Sequence, residues 1–449
     1  MRTDKLSAAA EKLRAHARTA WSHTARLRPY AAKLRPYADK LRRLVLKAVD
    51  AVGSGLHRGV VQVGRVSPRT AKRLEAAGAW VCQSEGRKLG AAGLVAVVVL
   101  GTGFAAVFSE AAGRYARVIS ASNRVVPLPD EIRRAAADKA KQLAAALEAR
   151  IDRKGKFAGE AWISAQVLVA LKESGPSRIS VKSVDQYFRS VAGPECACWR
   201  RLPRGEFPNH VGVTSWSLWT LARYGIPAHR SELAFLLSMQ NGEGGWPLFA
   251  GAKGERFASS YAAAAAILAL HEQSTLKASR AQQERLAAAV RRGADWLKTR
   301  AAGGRARWAD YPGWPEASQH AEYLGLSGFV LFALHRVGAP GLAALDRDWL
   351  ARLPAEAPAA RESEASRRTV QVGKRSYRDD TRYAALPWAI LATAAAYPDA
   401  SVSEKVRAME WLERALAPGA SIYAITGKER NPTIAAEALL ALRIGATRE

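Results

Sequence analysis

The chain has 449 residues and a formal net charge of +28, from 68 Lys or Arg against 40 Asp or Glu. Its 49% hydrophobic and 24% charged content excludes wholesale disorder, a collagen-like sequence and a polytopic membrane protein. Three cysteines are too few for a disulfide-built scaffold. We therefore expect a folded part with a sizeable hydrophobic core.

The first 88 residues form a distinct basic segment, with 20 Lys or Arg against 6 Asp or Glu. Residues 27–33 (Leu-Arg-Pro-Tyr-Ala-Ala-Lys) are nearly repeated at 34–40, and the proline in each copy argues against one uninterrupted helix. Leucines and tyrosines among basic residues suit an anionic membrane surface, and a solvated basic arm is the alternative. Nucleic-acid binding is not expected, because no nucleic-acid module accompanies the charge.

Residues 89–109 are predicted to form a transmembrane helix, because no charged residue occurs between Lys88 and Glu110. A buried helix of a soluble domain is the alternative, although its glycines are more typical of membrane spans. More basic residues precede the segment than follow it, which places the N-terminus in the cytoplasm. After a linker at 110–127, residues 128–449 would then lie outside the cytoplasm, in the periplasm of a Gram-negative cell.

Residues 128–449 alternate two kinds of predicted helix, which indicates an internal repeat. One kind is apolar on nearly every side and must be buried, and the other is amphipathic. The apolar segments are 160–175, 210–225, 256–273, 321–338, 379–398 and 430–445. The amphipathic segments are 130–151, 180–191, 230–240, 279–298, 343–353 and 404–416.

Six such helical hairpins predict an all-α fold in which the apolar helices form an inner ring and the amphipathic helices an outer ring. This arrangement is an α6/α6 toroid. An open superhelical solenoid is the alternative.

Two short motifs carry a resemblance to a known family. Residues 240–246 (Gln-Asn-Gly-Glu-Gly-Gly-Trp) resemble the Gln-and-Trp repeat of squalene-hopene cyclases and related prenyltransferase-fold proteins. Residues 377–381 (Tyr-Arg-Asp-Asp-Thr), which we expect at the head of the fifth inner helix, look like the acid motif of those cyclases. The resemblance implies the terpenoid cyclase and protein prenyltransferase toroid, with any active site where the inner helices begin.

The same resemblance implies that Asp379 is a proton donor and that Asp380 lies beside it. Tyr377 occupies the position of the family's first aspartate, and Arg378 follows, so the acid motif is incomplete and the chain would be a divergent member. A nearby positive charge favours the ionised carboxylate, which opposes proton donation. Acidic residues that complement the dipole of a helix are the alternative reading of both aspartates.

Aligning the inner helices brings further polar residues to the same opening. These residues can serve acid/base chemistry or bind a polar headgroup or a metal, and helix capping is the alternative for each one. Together with Asp379 and Asp380, the candidate catalytic residues are His210, His320 and Glu322, and their neighbours at the opening are Glu160, Ser259 and Asn431.

No metal or cofactor is expected. Cys196 and Cys198 precede His210 and could bind zinc, but two cysteines this close outside the cytoplasm fit an oxidised or buried pair better. Tryptophans in the loops could stabilise carbocations or bind flat apolar ligands. Trp246, Trp296, Trp349 and Trp411 are instead expected to lock outer helices to loops.

Two functions remain open on the sequence. One is an enzyme or enzyme-derived toroid that acts on an isoprenoid or other lipid delivered from the adjacent bilayer, with Asp379 as its acid. The other is a noncatalytic receptor or scaffold whose toroid binds a lipid, a peptide or a glycan.

Overall fold

The structure is a computed structural model. It describes residues 128–151, 160–175, 178–192, 199, 209–252, 257–276, 279–313, 322–356, 364–372, 375–397, 400–428 and 431–446. The chain divides into two units, Met1–Gly113 and Arg114–Glu449, and all described residues belong to the second. The predicted basic arm, the span at 89–109 and the linker at 110–127 lie outside the described residues. Within the described residues, no helix has the length and apolar character needed to cross a membrane.

The described part contains twelve α-helices, which alternate between the two predicted kinds. The inner helices are α2 (Ala161–Glu173), α4 (Val211–Arg223), α6 (Ser260–Ser274), α8 (Leu324–Arg336), α10 (Ala385–Ala396) and α12 (Pro432–Ala446). The outer helices are α1 (Asp130–Glu148), α3 (Val181–Val191), α5 (Arg230–Met239), α7 (Arg280–Thr299), α9 (Ala343–Glu356) and α11 (Val402–Ala415).

The inner helices pack side by side in chain order, from α2 to α4 and on to α12, and α12 packs against α2. These contacts return to their starting point and thereby enclose a common axis. Small residues permit the close packing: a Cβ atom on Gly328 of α8 would lie 2.7 Å from the carbonyl oxygen of Trp388 in α10. The described residues from 128 onward therefore form the predicted α/α toroid, with one β-hairpin added to its helices.

The connections have two different lengths. Those from inner to outer helices are short (174–180, 224–229, 275–279, 337–342 and 397–401). Those from outer to inner helices are long (149–160, 192–210, 240–259, 300–323, 357–384 and 416–431). Because functional residues concentrate on loops presented by a rigid scaffold, the end where the inner helices begin is the expected functional face. We call this end the mouth.

The fifth repeat differs from the prediction. An antiparallel hairpin, β1 (Glu364–Val372) and β2 (Arg375–Tyr383), precedes α10, and its register pairs Asp379 with Arg368 and Asp380 with Arg367. The prediction that both aspartates head an inner helix is wrong, because that helix begins at Ala385. Thr, Val and Tyr residues favour strands, and two intervening residues that include a glycine suit a tight hairpin.

Tryptophans in three successive loops at the mouth each form a hydrogen bond to the preceding outer helix. Each buried indole N–H donates to a backbone carbonyl near the end of the preceding outer helix: Trp199 to Phe188 (3.0 Å), Trp246 to Leu236 (2.7 Å) and Trp308 to Leu297 (2.8 Å). All three carbonyls lie in the last turn of their helix, where intrahelical donors run out, and that of Leu297 also accepts from the Arg300 backbone N–H at 3.2 Å. For Trp246, the predicted structural role is confirmed.

The residues around Trp246 add contacts between this loop and the next outer helix, α7. Gln240 donates to the carbonyl oxygens of Gly244 and of Ala289 in α7, both at 3.0 Å. Gly244 has φ +105°, and a Cβ atom there would lie 2.4 Å from the carbonyl oxygen of Arg292. The motif at 240–246 thus joins the loop to α7 through contacts that leave no room for a side chain at 244.

Candidate functional site

Three of the predicted mouth residues cap inner helices. The Nδ1 atom of His210 accepts from the Val213 amide (3.2 Å), and Ser259 Oγ accepts from the Ala262 amide (3.1 Å) and donates to Asp310 (2.6 Å). Asn431 accepts from the Thr433 amide at 3.3 Å. Since His210 uses Nδ1 as an acceptor, its proton lies on Nε2 in the neutral ring. Capping is therefore an observed role for each of these three residues.

The structure describes the side-chain contacts of two further predicted site residues, Glu160 and Glu322. Glu160 accepts from the indole N–H of Trp162, and Glu322 accepts from Arg307 at 3.1 Å. Asp379 and Asp380 lie on β2, and His320 lies outside the described residues, as do Cys196 and Cys198. In the part of the chain that the structure describes, no group of three or more His, Cys, Asp or Glu residues is placed to hold a metal ion.

Aromatic side chains from four inner helices meet inside the ring. Trp216 of α4 stacks on Phe329 of α8 at 5.8 Å and lies 6.4 Å from Trp388 of α10, while Phe329 lies 4.6 Å from Trp388, measured between ring centroids. Tyr261 of α6 accepts from the indole N–H of Trp216 at 2.7 Å. Because α4 and α8 are separated by α6, these side chains reach across the axis. We call these four residues the aromatic belt.

A carboxyl group that the sequence analysis missed lies against this belt. Glu437 of α12 is buried, and it accepts hydrogen bonds from the Trp388 side chain and the Ala384 backbone. Burial raises its pKa to about 8, and the two hydrogen bonds lower it by less. Glu437 therefore carries its proton at neutral pH. The sequence signal was a lone acidic residue within the apolar run of α12.

A second polar group faces the ring from the helix next to α12. Ser164 of α2 bonds to Tyr187 of the outer helix α3 at 2.9 Å, so Gln166, about 200° further round the helix, points away from the outer layer. Gln166 is 3% exposed, and its Oε1 atom has no hydrogen-bond partner among the described residues. Gln166 and Glu437 each lie five residues after the first residue of their helix, and α2 contacts α12.

Ion pairs connect four of the inner helices at the opposite end of the ring. Arg223 of α4 pairs with Glu173 of α2 and with Glu272 of α6 (3.2 Å), and Glu272 also pairs with Arg336 of α8 (2.9 Å). Burial alone would raise the pKa of Glu272, but Arg336 and Arg223 outweigh it and lower that pKa. Because all four residues lie in the last turns of their helices, these four inner helices run parallel. The network joins α2 to α8 away from the mouth.

The comparisons with known proteins concern the fold. The sequence matches no protein-family profile and no curated protein. Two structures of the type II terpene cyclase MstE from Scytonema with geranylgeranyl dihydroxybenzoate are similar to the chain at 14% and 13% identity, with TM-scores of 0.44 and 0.42. The alignments cover 70% of this chain and 98% and 97% of the cyclase chains.

A family 76 glycoside hydrolase from a bovine Bacteroides thetaiotaomicron strain is similar at 11% identity with a TM-score of 0.44, over 69% of this chain and 77% of that one. The α/α toroid arrangement is supported by the closed order of contacts between the inner helices of the described residues. A fold of this kind does not by itself determine a reaction. Function has to be argued from the site itself.

Proposed function

We propose that the toroid is a binding domain for an apolar lipid of the isoprenoid class, held at the mouth above the aromatic belt. The observation that carries the proposal is the buried, protonated Glu437 beside the rings of the belt. Aromatic faces bind flat or branched hydrocarbon, and a neutral carboxyl group provides one directed hydrogen bond. Trp162 and Tyr261, both only partly buried, would line the upper wall.

The chemistry of Glu437 favours binding over cyclisation. A cyclase that protonates an alkene needs a strong acid, whereas desolvation makes Glu437 a weaker acid than an exposed carboxyl group. A neutral carboxyl group in an apolar site is well suited to donate a hydrogen bond to a ligand oxygen. The receptor reading therefore has more support than the enzyme reading, and no catalytic role is proposed for Asp379 or Asp380.

The depth of the aromatic belt also supports a binding site at the mouth. Trp216 and Phe329 each lie five residues after the first residue of their helix, about 7 Å below the start of the inner helices, whereas Tyr261 lies one residue after the start of α6. Rings from α4, α8 and α10 cross the axis at that depth. A site of this depth would hold one end of an isoprenoid chain, with the mouth loops left to cover the rest.

Lipid extraction from the purified full-length chain, followed by mass spectrometry, tests the proposal. An isoprenoid lipid should co-purify with the intact protein and be lost from Tyr261→Lys, which places a charge in the upper wall. Val402→Lys is the matched control, because Val402 is 40% exposed on an outer helix and its variant should keep the lipid. Circular dichroism would establish that both variants fold. Equal lipid content in all three proteins, or none in the intact protein, would overturn the proposal.

We also propose that residues 89–109 anchor the chain in a membrane, with the basic arm on the cytoplasmic side, where it would contact anionic lipids. The support is the uncharged stretch between Lys88 and Glu110 and the excess of basic residues before it. Reporter fusions after Ser109 should read as extracytoplasmic, and fusions after Arg87 as cytoplasmic. A cytoplasmic signal from both positions would refute the topology.

A further inference from the structure

We infer that the β-hairpin before α10 docks on an anionic membrane surface through residues 369–378, which we call its tip half. The inference goes beyond the proposed lipid binding, since docking does not require a ligand inside the ring. The hairpin lies in the longest connection at the mouth, 357–384. Ala384 directly follows β2 and is the N-cap of α10, so the hairpin begins at the mouth. Strands of nine residues span about 30 Å, so docking would hold the mouth about that far from the headgroups.

The helices of the described residues leave the hairpin largely without packing partners. Among those residues, β1 and β2 pair only with each other, and neither strand packs extensively against a helix. An isolated two-stranded hairpin is only marginally stable in water. A surface that packs against the hairpin would therefore stabilise it, and the composition of the hairpin indicates the chemistry of that surface.

The half of the hairpin nearer the mouth is balanced in charge. This base half, 364–368 with 379–383, has three Arg against three Asp or Glu. The register sets Arg368 opposite Asp379 and Arg367 opposite Asp380, and opposite charges at directly paired positions attract each other. Charged residues on both strands also disfavour the addition of a third strand at either edge. The base half therefore offers neither an excess of charge nor an open edge to a partner.

The tip half combines positive charge with apolar residues. It has no Asp or Glu, and its basic residues are Lys374, Arg375 and Arg378. Val370 is opposite Tyr377 in the register, and Val372 follows two residues later, so these three positions share one face of the hairpin. Each basic residue near anionic headgroups contributes about 1 kcal/mol, and tyrosine is enriched at membrane–water interfaces. A free phosphate group would leave the apolar residues in water, so the combination favours a bilayer surface.

Hydrogen exchange of the full-length protein in lipid nanodiscs, followed by mass spectrometry, tests the inference. Discs of phosphatidylcholine are compared with discs that also contain phosphatidylglycerol. Amides of the tip half should exchange about tenfold more slowly in the anionic discs, because docking stabilises the hairpin. Amides of α7 should exchange equally in both. About 1 M salt should remove the slowing, because it screens the attraction between the basic residues and the headgroups.

Charge reversal identifies the docking residues. The double substitution Arg375→Glu with Arg378→Glu should abolish the slowing in anionic discs. Its exchange in neutral discs should match that of the parent protein, which checks that the hairpin still forms. Arg285→Glu is the matched control, because Arg285 is exposed on the outer helix α7 and its variant should keep the full slowing.

Equal exchange of the tip half in both kinds of disc would overturn the inference, as would slowing that survives the double substitution. Slowing that appears only when an acidic peptide such as polyglutamate is added would also overturn it, and would assign the tip half to an acidic protein surface. The lipid-extraction experiment measures a ligand of the ring instead, so the proposed function can fail or hold separately.

Discussion

The free energy of unfolding should fall as the pH rises from about 5 to 8, and much of that loss should be absent in Glu437→Gln. The pKa of Glu437 is raised to about 8 in the folded protein, against an ordinary value of 4.5. Between these values the unfolded chain releases the proton while the folded protein keeps it. Stability therefore decreases by about 1.4 kcal/mol per pH unit, or roughly 5 kcal/mol in total, and levels off above pH 8.

Glutamine has nearly the same shape, and its oxygen can still accept from the Trp388 indole, but it does not ionise. Chemical denaturation at several pH values should therefore find the variant close to the parent at pH 5 and several kcal/mol more stable at pH 8. Parallel pH profiles of the two proteins would contradict the assignment.

Glu232 of α5 provides an internal comparison for that experiment. Burial raises its pKa to about 7, although the His229 backbone and Arg189 act in the opposite direction. It should add its own loss of stability between about pH 4.5 and 7, so the Glu437→Gln variant should keep this part of the profile. The pH range above 7 reports on Glu437 with the least overlap.

Replacing Trp388 by alanine should lower the free energy of unfolding by about 3–5 kcal/mol, the range for a large aromatic residue removed from a core. Trp388 is 2% exposed, contacts Trp216, Phe329 and Phe332, and donates to Glu437. Equilibrium denaturation monitored by circular dichroism measures the loss.

Two further substitutions separate the contribution of the indole N–H of Trp388 from that of its buried ring. Trp388→Phe keeps an aromatic ring and removes the N–H donor, so it should cost about 1–2 kcal/mol. Trp162→Ala, at a partly buried position of α2, should cost less than Trp388→Ala. If Trp388→Ala cost no more than Trp162→Ala, the belt would not be part of the core that holds the ring together.

The helical part of the fold could be predicted because its signal is local. A helix that is apolar on every side has to lie in an inner layer, and all twelve predicted helices lie within or overlap the observed ones. The error at Asp379 has an equally local cause: the acid motif was assigned to a helix by its likeness to the family. The Thr, Val and Tyr residues around it favour strands instead.

The candidate site was harder to predict, because polar residues at helix starts cap helices more often than they react. His210, Ser259 and Asn431 illustrate this. Glu437 is recognisable in the sequence as an acidic residue within an apolar segment. Its hydrogen-bond partners, Trp388 and Ala384, lie about fifty residues earlier in the chain and contact it only when the ring of inner helices closes. The repeated Trp199, Trp246 and Trp308 contacts were missed in part because only residues 240–246 form a recognisable motif.

Infrared spectroscopy of the full-length protein tests most directly whether a protonated Glu437 serves a ligand site. At pH 7 the intact protein should show the carbonyl stretch of a neutral carboxylic acid that Glu437→Gln lacks, and adding the isoprenoid alcohol geranylgeraniol should shift this band as the carboxyl group donates to the ligand oxygen. No difference between the two proteins at pH 7, or a band that the alcohol leaves unchanged, would contradict the account.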